Sequence, residues 1–160
     1  MPDNKQVPPL MIQDAKIVFR NFAGLEQQFN SAGQRNFSVI LPPDLAMKLK
    51  DEGWRVKQLK AREEGEEGDY HLKVTVNYKT GRPPHCVLLS SRNRTELGAD
   101  EVAMLDVADI KKVDLMINGF WSDMAGGGYS GFLKSIFVTI NEDELELLYA
   151  QNPVEMAEVE

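Results

Sequence analysis

Residues 70–78 alternate strictly between apolar and polar side chains, and this pattern constrains the fold more than any other feature of the chain. Leu72, Val74 and Val76 alternate with polar residues such as Lys73 and Thr75. Because successive side chains of a β-strand point to opposite faces, a two-residue period predicts a strand with one buried face. We therefore expect a half-buried strand here.

Further short strands are predicted on both sides of this segment, separated by turn residues. They are expected at 16–22, 35–41, 54–60, 85–90, 113–121 and 132–140. One internal helix is expected over residues 43–52, because Pro42 and Pro43 begin it and Gly53 ends it. Strands without regular strand–helix alternation argue against a doubly wound sheet. The sequence therefore predicts a mainly β fold, either a small mixed antiparallel barrel or a sandwich.

The chain is expected to form one domain with two loosely attached ends. Its 160 residues are 42% hydrophobic and 27% charged, as in a soluble globular protein. We expect a flexible N-terminal arm over residues 1–10, a folded domain over 11–150 and an acidic C-terminal tail over 151–160. A short C-terminal helix is predicted to begin at Asn141. From the polar, proline-containing first ten residues we expect no signal peptide, and we expect no membrane-spanning segment.

Negative charge is concentrated at the C-terminal end. Residues 141–160 contain seven acidic residues and no Lys or Arg, whereas the other 140 residues hold 18 acidic and 18 basic residues. The body of the chain is therefore formally neutral, although the whole sequence carries a net charge of −7. Such a protein can bind a polyanion with its body while the tail moves away.

Sequence motifs of common enzymes and cofactor sites do not occur in this chain. His71 and His85 do not stand at metal-ligand spacing from each other or from Cys86. The glycine run 126–128 precedes a predicted strand rather than a helix, so it lacks the context of a phosphate-binding loop. We therefore expect a protein that is not an enzyme and has no metal or cofactor. Cys86 lies in an apolar run and is expected to be a buried thiol in a reducing cytoplasm.

Basic residues of the body are interleaved with aromatic rings. Arg20 lies between Phe19 and Phe22, two rings expected on opposite faces of one strand. Single-stranded nucleic acid needs this combination because its bases stack on rings, at about 1–3 kcal/mol each, while Lys and Arg neutralise phosphates. The candidate nucleic-acid-binding residues are Arg20, Phe22, Phe29, Arg35, Arg55, Lys57, Tyr78, Lys79, Arg82, Arg92, Arg94, Trp121 and Tyr129. Rings in alternating apolar runs, namely Phe19, Phe37, Phe132 and Phe137, are expected in the core instead.

The acidic tail is a candidate regulatory segment. A mobile acidic segment imitates the charge of DNA and can occupy a basic groove until DNA displaces it. The residues expected to act in this way, or to bind partner proteins once displaced, are Glu155, Glu158 and Glu160. Acidic C-termini also serve as solubilising ends, so both interpretations stand at this point.

Five segments of the sequence resemble phage-encoded single-stranded-DNA-binding proteins, namely residues 18–24, 33–39, 51–57, 61–65 and 133–140. The resemblance implies an OB-type β-barrel with extra strands or hairpins and sequence-tolerant binding of single-stranded DNA. It further implies a role in phage DNA replication, recombination or repair, in the host cytoplasm. Replication proteins recruited by the tail are the implied partners, and a homodimer is left open.

A different class of function is a non-enzymatic β-barrel module that binds another protein as an adaptor or inhibitor. The neutral body lacks the strongly basic overall charge of many nucleic-acid-binding domains, which keeps this alternative open. Retention of the tail-deleted body on single-stranded-DNA resin would distinguish the two functions.

Overall fold

The computed structural model describes residues 7–28, 30–61, 64–65 and 67–142. In this part of the chain one α-helix and nine strands are present, with short 3₁₀ helices at Val102–Asp106 and Met124–Gly126. The elements are β1 (Leu10–Ile12), β2 (Lys16–Asn21), β3 (Arg35–Leu41), α1 (Pro43–Asp51), β4 (Val56–Gln58), β5 (Tyr70–Val76), β6 (His85–Leu89), β7 (Arg94–Leu97), β8 (Ile110–Ser122) and β9 (Gly128–Ile140). The predicted mainly β fold with one internal helix is confirmed.

The nine strands form one hydrogen-bonded sheet. Its main path runs β1-β8-β9-β5-β3-β2, while β4 pairs with β5, β6 with β9 and β7 with β6. Strand β9 is parallel to β5 and β6, and the other pairs are antiparallel. The path has two ends, so the sheet is open. A hydrogen bond from the Ala15 amide to the Val113 carbonyl (2.7 Å) brings the residue before β2 against β8.

Alternation along β3 and β5 places one face of each strand in the core. Phe37 pairs with Val74 and Val39 with Leu72, and all four side chains are buried. Burying an apolar side chain of this size contributes about 1.5–3 kcal/mol. The polar residues between them must therefore point to the outer face of the same two strands.

Helix α1 closes one end of the core. It begins at Pro43 and packs through Ala46 and Leu49, which are buried. It ends before Gly53, whose φ of 101° favours glycine. The next residue, Trp54, is buried, and its ring centroid lies 5.7 Å from that of Tyr129 on β9. The chain thus returns from the helix directly onto the β8–β9 hairpin.

Three segments differ from the expectations or fall outside them. Strand β7 is not among the strands that the sequence predicts, because its pairing with β6 uses backbone groups and needs no apolar side chains. Val7 and Leu10, which lie within the segment predicted to be a flexible arm, are partly buried and pack against the core. The predicted C-terminal helix and the tail over 151–160 lie outside the described residues.

Candidate nucleic-acid interface

Most residues on the outer face of β3 and β5 are polar, and this face forms the floor of the candidate site. Asn36 stands opposite Thr75, and Ser38 stands opposite Lys73. These residues alternate with the buried ones, so the strand period that builds the core also fixes the direction of the polar side chains.

Three neighbouring cavities share lining residues, and together they are called the groove. The first, about 540 Å³, lies between the loop before β3 and the end of β5. The second, about 210 Å³, shares Lys73 and Thr75 with the first and reaches β4 and β9. The third, about 350 Å³, shares Asn77 with the first and Phe132 with the second. The groove is lined by Ala23, Gly33, Gln34, Arg35, Asn36, Arg55, Lys57, Leu72, Lys73, Thr75, Val76, Asn77, Tyr78, Lys79, Thr80, Arg82, Ala99, Asn118, Phe120, Ser130, Gly131, Phe132 and Leu133.

The charge of the groove is opposite to that of the whole chain. Six basic residues line it, and none of the described lining residues is Asp or Glu. The basic residues are Arg35, Arg55, Lys57, Lys73, Lys79 and Arg82. Because the chain as a whole carries −7, this separation of charge creates a local site for an anion on an acidic protein.

A pair of phenylalanines, one exposed and the other half-buried, lies at one end of the groove. Phe120 on β8 is 57% exposed, and its ring meets that of Phe132 on β9 edge to face with centroids 5.2 Å apart. The two rings share a cavity with the side chains of Asn77 and Asn118. A ring that is open to solvent beside amide groups can stack a nucleobase while the amides meet its polar edge.

Two arginines of the groove are held in place by backbone carbonyls. Arg35 donates to the carbonyl oxygens of Phe22 (3.0 Å) and Ala99 (2.8 Å), and its guanidinium lies 5.2 Å from the centre of the Tyr78 ring. Arg55 donates to the carbonyls of Ser122 (3.0 Å) and Met124 (2.6 Å). Since a guanidinium has five N–H donors, each arginine fixes a loop and keeps donors for a ligand.

Tyr78 is held neutral at the edge of the groove. Burial, together with the hydrogen bond between its hydroxyl and the Cys86 sulfur (3.3 Å), raises the pKa of Tyr78 above its usual value. Burial also raises the pKa of the Cys86 thiol. The phenol therefore stays a hydrogen-bond donor and places no negative charge beside Arg35.

Six of the candidate residues lie in the groove, namely Arg35, Arg55, Lys57, Tyr78, Lys79 and Arg82. They come from β3, the segment around β4 and the β5–β6 connection, so the fold brings together residues up to 47 positions apart in the sequence. Their part in ligand binding stays a prediction.

Two predicted stacking rings are core residues, which corrects the sequence interpretation. Phe22 is fully buried and stacks on Phe37 with centroids 5.0 Å apart. Tyr129 is 8% exposed and packs against Trp54 and Trp121. Neither ring presents a face to a base.

Four more candidates lie outside the groove. Arg20 donates to the carbonyls of Leu105 (2.8 Å) and Ala108 (2.9 Å) and so ties β2 to the 3₁₀ segment. Trp121 is half-buried, and its indole N–H donates to the Asp123 carboxylate (2.8 Å). The remaining two are Arg92 and Arg94, at the β6–β7 hairpin, where Arg94 lies over Phe137. Phe29 and the tail residues Glu155, Glu158 and Glu160 lie outside the described residues.

Three residues that line the groove, Lys73, Phe120 and Phe132, were not among the candidates from the sequence. Lys73 was on the polar side of the clearest predicted strand, and that alternation could have identified it. Phe120 and Phe132 could not be found in this way, because their outward direction depends on the pairing of β8 with β9. The register between two strands depends on contacts between distant segments, and a single sequence does not reveal it.

Two kinds of feature are absent from the described part of the chain. No helix in that part of the chain is long and apolar enough to cross a membrane. Likewise, the described side chains contain no cluster of three or more His, Cys, Asp or Glu that could hold a metal ion.

Comparison with known proteins gives one family and one set of similar folds. The family model of the phage ssDNA-binding domain matches residues 1–160. The C-terminally truncated single-stranded DNA-binding protein from bacteriophage Enc34 has a similar fold, with a TM-score of 0.52 at 12% identity over 88% of this chain and 98% of that chain. The same phage protein in complex with ssDNA gives 0.51 at 10% identity, over 84% and 88% of the two chains. A search of curated proteins gives no match.

Proposed function

The chain belongs to the phage ssDNA-binding domain family, and from this premise we propose that the groove is its binding site for single-stranded DNA. The observation that carries the proposal is the charge of the groove, where six basic residues and no described acidic residue line one surface of a protein with net charge −7. Proteins that bind single strands without sequence preference combine such a basic groove with aromatic rings.

The position of the groove in the fold supports the same proposal. Taken in chain order, β2, β3, β5, β8 and β9 correspond to the five strands of an OB barrel, so the groove lies on strands two and three. That face, with the loop between strands one and two, is where OB folds bind oligonucleotides. Ala23 and Gly33 of that loop line the first cavity. The similar protein from phage Enc34 has been solved in complex with ssDNA.

Binding in this groove would depend on two kinds of contact. The lysines and arginines neutralise phosphates, and Phe120 and Phe132 stack bases whatever their identity, because every base has a flat face. The amides of Asn36, Asn77 and Asn118 can hydrogen-bond to base edges. The result is binding that tolerates many sequences.

We expect the affinity for an oligothymidine to fall steeply as salt rises. Each phosphate neutralised on a single strand contributes a slope of about −0.7 in the plot of log affinity against log salt, so six groove cations set a limit of roughly −4. Fluorescence anisotropy of a labelled oligothymidine at several salt concentrations measures this slope. An affinity that does not change with salt would contradict the proposal and favour the protein-binding module.

The biological role that we infer is protection and organisation of single-stranded intermediates in phage DNA replication, recombination or repair, in the host cytoplasm. The groove offers contacts to phosphates and base faces, which suits a binding protein that performs no catalysis. The acidic tail, with Glu155, Glu158 and Glu160, is proposed to compete with DNA for the groove and to recruit replication proteins when displaced.

Deletion of residues 153–160 should leave the affinity for single-stranded DNA unchanged or increase it. The deletion removes three acidic residues that would otherwise compete for the basic groove. Anisotropy titrations of the full and shortened chains at low salt measure the change, and the thermal midpoint of both chains serves as the control for folding. A clear loss of affinity in a folded shortened chain would show that the tail is a structural part of the site.

A further inference from the structure

Phe19 occupies an unusual position at the β2 edge of the outer face. The register of β2 against β3 shifts between Val18 and Asn21, which marks a β-bulge. Within the bulge Phe19 has a φ of 52°, in the left-handed region. Its side chain is 62% exposed, although phenylalanine is usually buried.

Contacts on both sides of the bulge explain its backbone path, but they do not explain why residue 19 is a phenylalanine. Arg20 is fixed by the carbonyls of Leu105 and Ala108, and the buried Asn21 bonds the backbone of Leu25 in both directions. These anchors impose the backbone path, for which glycine or asparagine would be the favourable residue at position 19. A large ring at a strained and exposed position adds little to the core, so its role lies elsewhere.

The ring of Phe19 stands on the same face as the groove. Its centroid lies 6.2 Å from that of His71, in an edge-to-face arrangement with an interplanar angle of 74°. His71, Lys73 and Thr75 alternate on the outer side of β5, and Thr75 stands opposite Phe132. From His71 to Thr75 the strand advances roughly 13 Å, at 3.3 Å per residue. Aromatic rings therefore stand towards both ends of the outer side of β5, with Lys73 between them.

We propose that Phe19 is a second stacking site for a nucleobase, at the end of the DNA path opposite Phe120 and Phe132. The open face of its ring takes the base, the edge contact with His71 fixes the ring, and Lys73 neutralises a phosphate between the two stacking sites. This inference rests on the proposed function of the groove and defines how far across the sheet the strand of DNA extends.

The decisive variant is Phe19→Asn, because asparagine tolerates the left-handed conformation and removes the ring. On an oligothymidine of about sixteen nucleotides, the upper end of the site sizes of OB folds, the loss of one stacked base should weaken binding by between about 5-fold and 150-fold. Phe19→Leu, which keeps an apolar side chain without a ring, should lose affinity in the same way. Phe19→Tyr, which keeps the ring, should retain it.

Control measurements separate this inference from the function on which it rests. Val107→Asn removes another exposed apolar side chain, 88% exposed and outside the groove, and should leave the affinity unchanged. Urea denaturation should show Phe19→Asn to be as stable as the natural chain or more so. If the natural chain binds the oligonucleotide and Phe19→Asn and Phe19→Leu bind equally well, the second stacking site is overturned while the groove proposal stands. If the natural chain does not bind, the proposed function itself fails.

Discussion

Replacement of Lys73 by glutamate is expected to reduce the affinity for single-stranded DNA by one to two orders of magnitude, about 1.4–2.8 kcal/mol. Lys73 is exposed on β5 and lines both the first and second cavities, so it lies near the centre of the groove. The substitution removes one cation and places a carboxylate on a surface where none of the described lining residues is acidic. A phosphate that met an ammonium group would then meet a like charge.

A matched control shows whether position or net charge causes the loss. Lys48→Glu makes the same change of charge at an exposed position of α1, outside the groove, and should alter the affinity only slightly. Anisotropy titrations at one low salt concentration measure both variants. Lys73→Ala should also reduce the salt slope by about 0.7, the contribution of one phosphate contact. Equal losses for Lys73→Glu and Lys48→Glu would mean that the groove does not hold the DNA.

Phe22→Ala should reduce the free energy of unfolding by about 3–5 kcal/mol. The Phe22 ring is fully buried against Phe37, so truncation leaves a cavity that the neighbouring strands can fill only in part. The loss is a large fraction of the 5–15 kcal/mol that stabilises a typical domain. Urea denaturation followed by circular dichroism measures it.

Phe22→Leu separates this core role from a role in stacking bases. Leucine retains most of the apolar volume, so we expect a smaller loss of stability and an unchanged affinity for an oligothymidine. A stable, folded Phe22→Leu protein that had lost DNA binding would refute the core assignment and restore the earlier stacking interpretation of this ring.

The bulge in β2 explains why the sequence prediction was wrong for both Phe19 and Phe22. Regular alternation over residues 16–22 would bury Phe19 and expose Phe22. The bulge between Val18 and Asn21 inserts one extra residue and reverses which face each later side chain takes. Nothing in the sequence reveals it, because phenylalanine is not a residue that normally adopts a left-handed φ.

The strands and the helix were predictable where local physics decides them. Alternation located β5, and the proline pair and Gly53 located α1 to within a residue. Predicting the groove also requires the order of the strands in the sheet, because its lining residues come from neighbouring strands. The bulge between Met116 and Ile117 and the pairing of Asn118 with Phe132 set the direction of the pair of phenylalanine rings. These choices follow from long-range pairing that periodicity does not encode.

The free edges of the open sheet bear on whether copies of this protein aggregate. A sheet with free edges can pair with further copies and aggregate, yet each edge here is unfavourable for that. Strands β1 and β4 have only three residues each, β2 is interrupted by its bulge, and β7 presents the charged side chains of Arg94 and Glu96. Polymerisation of the protein edge to edge at high concentration is therefore disfavoured.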